Sequence, residues 1–142
     1  MRFLIVDESS EFRRVLAKML LARWPEAQTV EWDPRQPGDP AAIVARERCD
    51  LVLLDSHPTG KDGIQWAAEI RKSLQAPPVV LIADHGDTHA AILAMKAGAA
   101  DFLRRTGLTE QRLVRSIEDA LREREARQLE STGGRSALAR TL

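Results

Sequence analysis

The chain has 142 residues, 44% of them hydrophobic and 30% charged, which suits one domain with its own core and excludes a disordered or membrane-spanning composition. Lys plus Arg and Asp plus Glu each total 21, so a net charge of zero supplies no overall field toward nucleic acid or an anionic membrane. The single cysteine, Cys49, cannot form an internal disulfide, and without a signal-peptide pattern or a long apolar run the expectation is a cytoplasmic protein in which Cys49 is a buried filler.

In chain order, Phe3, Leu4, Ile5 and Val6 form a nearly continuous apolar run ending abruptly at Asp7, as expected for a parallel strand covered on both faces. Ser9 and Ser10 are candidate caps for a helix whose Phe12, Val15, Leu16, Met19 and Leu20 make a stripe that can pack on a sheet, closed by Pro25. Residues 27–32 read as a second strand, residues 33–40 as a loop rich in Pro and Asp, and residues 41–48 as a short helix. Residues 50–54 form the second strongly apolar run, and it too ends on an acid, Asp55, before a turn-forming stretch with Pro58, Gly60 and Gly63.

The spacing predicts a third helix over residues 64–74, with Trp66, Ala67, Ile70 and Leu74 on one face, and Pro77 and Pro78 precede a strand over residues 79–83. After a loop at residues 84–87, residues 88–97 read as a small-residue helix stopped by Gly98. Residues 101–104 read as a last strand, and the final helix begins near Thr109. Leu113, Ile117, Ala120 and Leu121 give that helix an apolar stripe that vanishes beyond Arg122. From there it is a solvated helix end held by alternating charges, or else a connector or homodimer contact; residues 131–142 read as a flexible tail.

Five strands alternating with helices predict a flavodoxin-like doubly wound α/β fold, a five-stranded parallel sheet in the order 2-1-3-4-5. That order makes the first and third strands neighbours, so Asp7, Glu8 and Asp55 converge at the switch point where open α/β sheets bind ligands. A lone strand-end aspartate usually caps its own loop. Three converging carboxylates repel one another, and a hard cation relieves them; magnesium fits an exposed three-acid site better than calcium because it needs few carboxylates and keeps several waters.

These residues carry a resemblance. Phe3 to Glu8, Leu51 to Asp55, Asp62 and Gly63 seven and eight residues beyond Asp55, and the Lys96-Ala97-Gly98-Ala99-Ala100-Asp101-Phe102 segment are similar to the receiver domains of two-component response regulators. The likeness spans residues 1–125, leaving residues 126–142 as a charged helix end and a tail or linker. It implies that Asp55 is a phosphoacceptor taking its phosphoryl group from a sensor histidine kinase, a phosphotransfer protein or a small phosphodonor. It also implies a Mg²⁺ held by Asp7, Glu8, Asp55 and the backbone carbonyl of His57, and a downstream output protein or domain as partner.

The departures from that pattern matter equally. Ala83 stands where the family ends its fourth strand with Thr or Ser, so a hydroxyl that would bond the phosphoryl oxygen is missing. Arg105, followed by Thr106, stands in place of Lys and Pro; it keeps the charge for a phosphate contact, but its planar fork is not a compact ammonium. Phe102, at the aromatic switch position, has no hydroxyl, Thr59 replaces a proline with Pro58 displaced by one, and Glu8 replaces the more frequent Asp.

Other candidates are weaker. His85 and His89 lie four apart, but Gly86 separates them and no further spacing supports a transition-metal site. Trp24, Trp32 and Trp66 are not interleaved with a basic patch, so packing outweighs base stacking, and no glycine-rich phosphate loop follows the first strand. Two functions remain beside each other: a signalling receiver, no enzyme beyond its own phosphorylation and dephosphorylation, and a phosphorylation-independent pseudo-receiver that docks proteins. A metal-dependent hydrolase on the same fold lacks an evident general base.

Overall fold

The computed structural model describes residues 1–58, 62–85 and 88–141, with side chains as far as Glu130. Thr59, Gly60, Lys61, Gly86, Asp87 and Leu142 lie outside the described residues. Ten elements alternate along the chain: β1 (Arg2–Val6), α1 (Ser10–Arg23), β2 (Gln28–Trp32), α2 (Pro40–Glu47), β3 (Leu51–Asp55), α3 (Gly63–Arg71), β4 (Val79–Ala83), α4 (Thr88–Lys96), β5 (Asp101–Arg104) and α5 (Glu110–Thr141). The strands pair in parallel in the order β2-β1-β3-β4-β5, the flavodoxin-like arrangement that the sequence predicts.

The apolar strands are unbroken because both faces of the sheet are covered. Successive side chains point to opposite faces. Leu4, Val6, Val52, Leu54, Val79 and Leu81 pack with Ile43 and Val44 of α2, Ala67 and Ile70 of α3 and Ala94 of α4. Phe3, Ile5, Leu51, Leu53, Val80, Ile82 and Leu103 pack with Leu16 and Leu20 of α1 and Leu113, Ile117 and Ala120 of α5. The register then sets the strand ends: Val6 lies beside Leu54, Asp55 beside Ile82, and Ala83 beside Arg104.

Local chemistry fixes the helix starts. Ser9 caps α1 by accepting from the Phe12 amide, Asp39 caps α2 with Pro40 in the first turn, and Asp62 caps α3 by accepting from the Ile64 and Gln65 amides. Each cap satisfies an amide that the helix itself leaves unpaired. Pro40, read from the sequence as loop, belongs to α2 because a first-turn proline gives up no helical hydrogen bond. Gly98, at φ +96°, ends the α4 segment in the left-handed conformation that glycine tolerates best.

Three further expectations are corrected. α3 ends at Arg71, so Leu74 is off the helix and fully exposed; the residue before a proline disfavours the helical conformation, and the chain must turn toward Pro77, Pro78 and β4. Val15 is also exposed, leaving Leu16 and Leu20 as the buried residues of α1. Finally, α5 continues helically to Thr141 through the stretch read as a tail, where Ala, Arg and Leu favour helix over the cost of Gly133 and Gly134.

Among the described side chains of α5, full burial ends at Ala120; Leu121 is partly buried against the core, and the half-buried Arg124 donates from Nη1 to the Asp50 carbonyl at 2.9 Å. No helix among the described residues is long and apolar enough to cross a membrane.

Candidate functional site

The carboxyl ends of β1, β3, β4 and β5 bring Asp7, Asp55, Asp84 and Arg105 to one edge of the sheet. Asp7 follows Val6 directly, Asp55 closes β3, and Asp84 follows Ala83. The Arg105 amide donates to the Ala83 carbonyl at 2.7 Å, tying the β5 end to the β4 end.

Asp7 is buried and Asp55 is partly exposed. Asp7 Oδ1 accepts from the Ser9 amide at 2.8 Å, and Asp55 Oδ1 accepts from the His57 amide at 3.1 Å. Burial pushes the Asp7 carboxyl above the ordinary carboxylate range; the charges of Asp55 and Asp84 add to this, opposed by the Ser9 amide and by Arg105. Burial likewise raises Asp55, with Asp84 and Glu8 adding repulsion, opposed by the His57 amide and by Arg105. Among the described residues, Arg105 is thus a cation that acts on both acids.

Arginines also brace the backbone of this acidic edge. Arg13 of α1 donates from Nη1 to the Asp7 carbonyl and from Nε to Glu31 at 3.1 Å. Arg35 donates to the Glu8 carbonyl at 3.4 Å while its guanidinium grips Asp33 at 2.6 Å. That grip lowers the Asp33 carboxyl to about 2.

The loop after β3 is held at several points. The Ser56 amide donates to the Ile82 carbonyl at 3.0 Å, the Gly63 amide donates to the Ser56 carbonyl at 2.8 Å, and the buried Ser56 Oγ shares a 3.1 Å hydrogen bond with His57 Nδ1. Glu8 and His57 are exposed on the same edge. Ala83 is buried at 1% exposure, and Phe102 is half-buried against the α2, α3 and α4 side of the core.

Arg105 has a specific seat. Its Nη1 pairs with Asp84 Oδ1 at 3.1 Å, and its guanidinium lies 3.9 Å over the Phe12 ring. Asp84 escapes the sequence reading although it carries the same signal as Asp7 and Asp55, an acid directly after an apolar strand. Arg13 and Arg35 carry no such signal, because their contacts depend on the tertiary arrangement.

Among the described residues, no three His, Cys, Asp or Glu side chains form a group that could hold a metal ion by themselves. Among the described residues, His85 and His89 therefore have no third partner of that kind. The oxygen donors at the acidic edge are nevertheless hard, mutually repelling and partly desolvated, which is the chemistry a magnesium ion accepts while keeping several waters.

The chain belongs to the response regulator receiver domain family, whose model matches residues 3–118. It is 28% identical to the transcriptional regulatory protein GlrR of Escherichia coli over 84% of its own length and 26% of that protein. It is 30% identical to the nitrogen assimilation regulatory protein NtrX of Azorhizobium caulinodans over 89% of its own length and 28% of that protein. The chain thus spans little more than a quarter of these regulators.

Among solved structures, NtrX from Brucella abortus superposes with a TM-score of 0.76 at 27% identity, covering 92% of this chain and 29% of that one. The BeF3-activated N-terminal receiver domain of Klebsiella pneumoniae RstA superposes with a TM-score of 0.70 at 26% identity, covering 84% and 98%. The protein is a receiver domain of the kind found in two-component response regulators.

Proposed function

We propose that this receiver accepts a phosphoryl group on Asp55 and thereby changes the surface it offers to a partner. The observation that carries the proposal is the meeting of Asp7 and Asp55 at adjacent strand ends, both raised by burial and by neighbouring acids, with Arg105 opposing that rise at each. Packing alone gives no reason to hold such charges together, and perturbed groups in this position favour a functional site.

With Oδ1 held by the His57 amide, Asp55 Oδ2 is the oxygen that attacks phosphorus. Its bond to phosphorus forms as the bond to the leaving imidazole of a phosphohistidine, or to acetate in acetyl phosphate, breaks; the product is an acyl phosphate. Asp7, Glu8, Asp55 and the His57 carbonyl would hold Mg²⁺, which when bound neutralises charge on the phosphoryl oxygens. Arg13 and Arg35 keep the backbone of Asp7 and Glu8 in place, and Arg105 supplies the positive charge that the family takes from lysine.

The partners of this reading are a sensor histidine kinase or phosphotransfer protein upstream and an output protein or domain downstream, in the cytoplasm, without direct contact to nucleic acid. Residues 1–125 would be the receiver body and residues 126–142 a connector. The buried Ala83, with no hydroxyl to read a phosphoryl group, favours a second reading: a phosphorylation-independent pseudo-receiver that docks proteins through the same fold.

Intact-mass measurement after incubation with acetyl phosphate decides between them. A phosphoryl adduct that needs Mg²⁺ and vanishes in Asp55→Asn supports the phosphoacceptor. No adduct on a folded chain supports the pseudo-receiver.

A further inference from the structure

We propose that Asp84 and Arg105 are the switch pair of this chain: a phosphoryl group on Asp55 draws the Arg105 guanidinium off Asp84 and so releases the residue that leads from β4 toward α4. The proposal rests on the phosphoacceptor reading above.

Without a hydroxyl at Ala83, the β4 end cannot bond a phosphoryl oxygen through its last side chain. The next residue, Asp84, is instead held from outside, by the 3.1 Å ion pair to Arg105 Nη1. The Arg105 amide is fixed to the Ala83 carbonyl, and Phe12 forms a flat platform under the guanidinium, so the fork can change partners without leaving its seat. Arg105 already acts electrostatically on Asp55 and Asp7, as does Asp84 with the opposite sign. The three acids therefore compete for one guanidinium.

Strength decides the competition. The Arg105–Asp84 pair has side chains 33% and 63% exposed, and exposed pairs of this kind are weak and screened by salt. A phosphoryl group carries more charge and three acceptor oxygens matching the planar fork of arginine, so it forms the stronger charge-assisted bonds. The released Asp84 would then act on α4, which buries only Ala94 and leaves Ile92, Leu93 and Met95 between 43% and 50% exposed. A helix seated by so little apolar contact moves at low cost.

The test is hydrogen–deuterium exchange of α4 peptides with acetyl phosphate and Mg²⁺, compared at matched adduct occupancy by intact mass in wild type, Asp84→Asn, Arg105→Ala and Arg105→Lys. The expected result is a change in α4 exchange on phosphorylation in wild type, lost in Asp84→Asn and Arg105→Ala and partly restored in Arg105→Lys. Before any phosphodonor is added, Asp84→Asn should already show the α4 exchange of the phosphorylated wild type. An adduct whose α4 response survives in Asp84→Asn overturns the switch pair and leaves the phosphoacceptor reading standing. No adduct on Asp55 in wild type overturns both.

Discussion

The Gly63 backbone passes so close to Asp55 that a Cβ added at Gly63 would stand 2.4 Å from the Asp55 carbonyl oxygen and 2.6 Å from that of Ser56. Both obstacles are backbone atoms and cannot swing aside. Gly63→Ala should therefore cost about 1–3 kcal/mol, the usual price of forcing extra volume into a packed site. Urea unfolding would measure that cost. Slower adduct formation at Asp55 should accompany it, because the loop that carries the carboxylate must shift.

Asp7 makes stability depend on pH in a defined direction. Its folded pKa is raised, chiefly by burial, so its favourable contribution is complete below the unfolded value near 4 and is lost as pH rises through the folded value. Asp7→Asn should remove that loss and stabilise the chain at pH 7 by about 1 kcal/mol in EDTA, a typical gain on relieving a functional site. Mg²⁺ should stabilise the wild type by about 2.7 kcal/mol at a hundredfold excess over its Kd, raising its urea midpoint, and do much less for Asp7→Asn. Equal urea midpoints for the two proteins at pH 7 would count against this account.

Cys49 is 5% exposed, and burial pushes its thiol from about 9 up to about 11. At pH 8 that shift alone cuts the thiolate fraction roughly a hundredfold, and the thiolate is the reactive form. Ellman's reagent should react at least that much more slowly with the native chain than with the chain in urea. Because the folded value is the raised one, stability associated with this thiol is present below pH 9 and lost as pH rises through about 11.

Arg124 and Arg122 sit two positions apart on α5 with different contacts. Arg124 is half-buried and bonds the Asp50 carbonyl, whereas Arg122 is exposed and pairs with Asp119 one helical turn away. Arg124→Ala should cost about 1 kcal/mol, the scale of one hydrogen bond from a charged donor near the core boundary. Arg122→Ala should stay within about 0.5 kcal/mol. Chemical denaturation of the two variants side by side separates them.

Much of the fold was legible because β1, β3 and β4 each carry an unbroken apolar run of at least four residues, a pattern that a parallel sheet covered on both faces imposes. Asp7 and Asp55 were legible for a related reason: an acid that abruptly ends such a run must lie at the sheet edge. Asp84 obeys the same rule, but the likeness to receivers directs attention to the missing hydroxyl of Ala83 beside it. The charge of Arg105 could be read from the chain; its pairing with Asp84 and its seat on Phe12 could not, because they join residues far apart in sequence. Leu74 misled because helical periodicity says nothing of where two later prolines force the chain to leave the helix.

Trp32, at the end of β2, stacks on Trp66 of α3 with ring centroids 6.0 Å apart and planes inclined by 27°. Trp66 lies three residues after Gly63, on the helix whose first turn touches the Asp55 carbonyl. The two indoles are therefore a built-in optical gauge: their overlap couples their electronic transitions, and any movement of the loop at Asp55 that tilts α3 changes the near-ultraviolet dichroism without an added label.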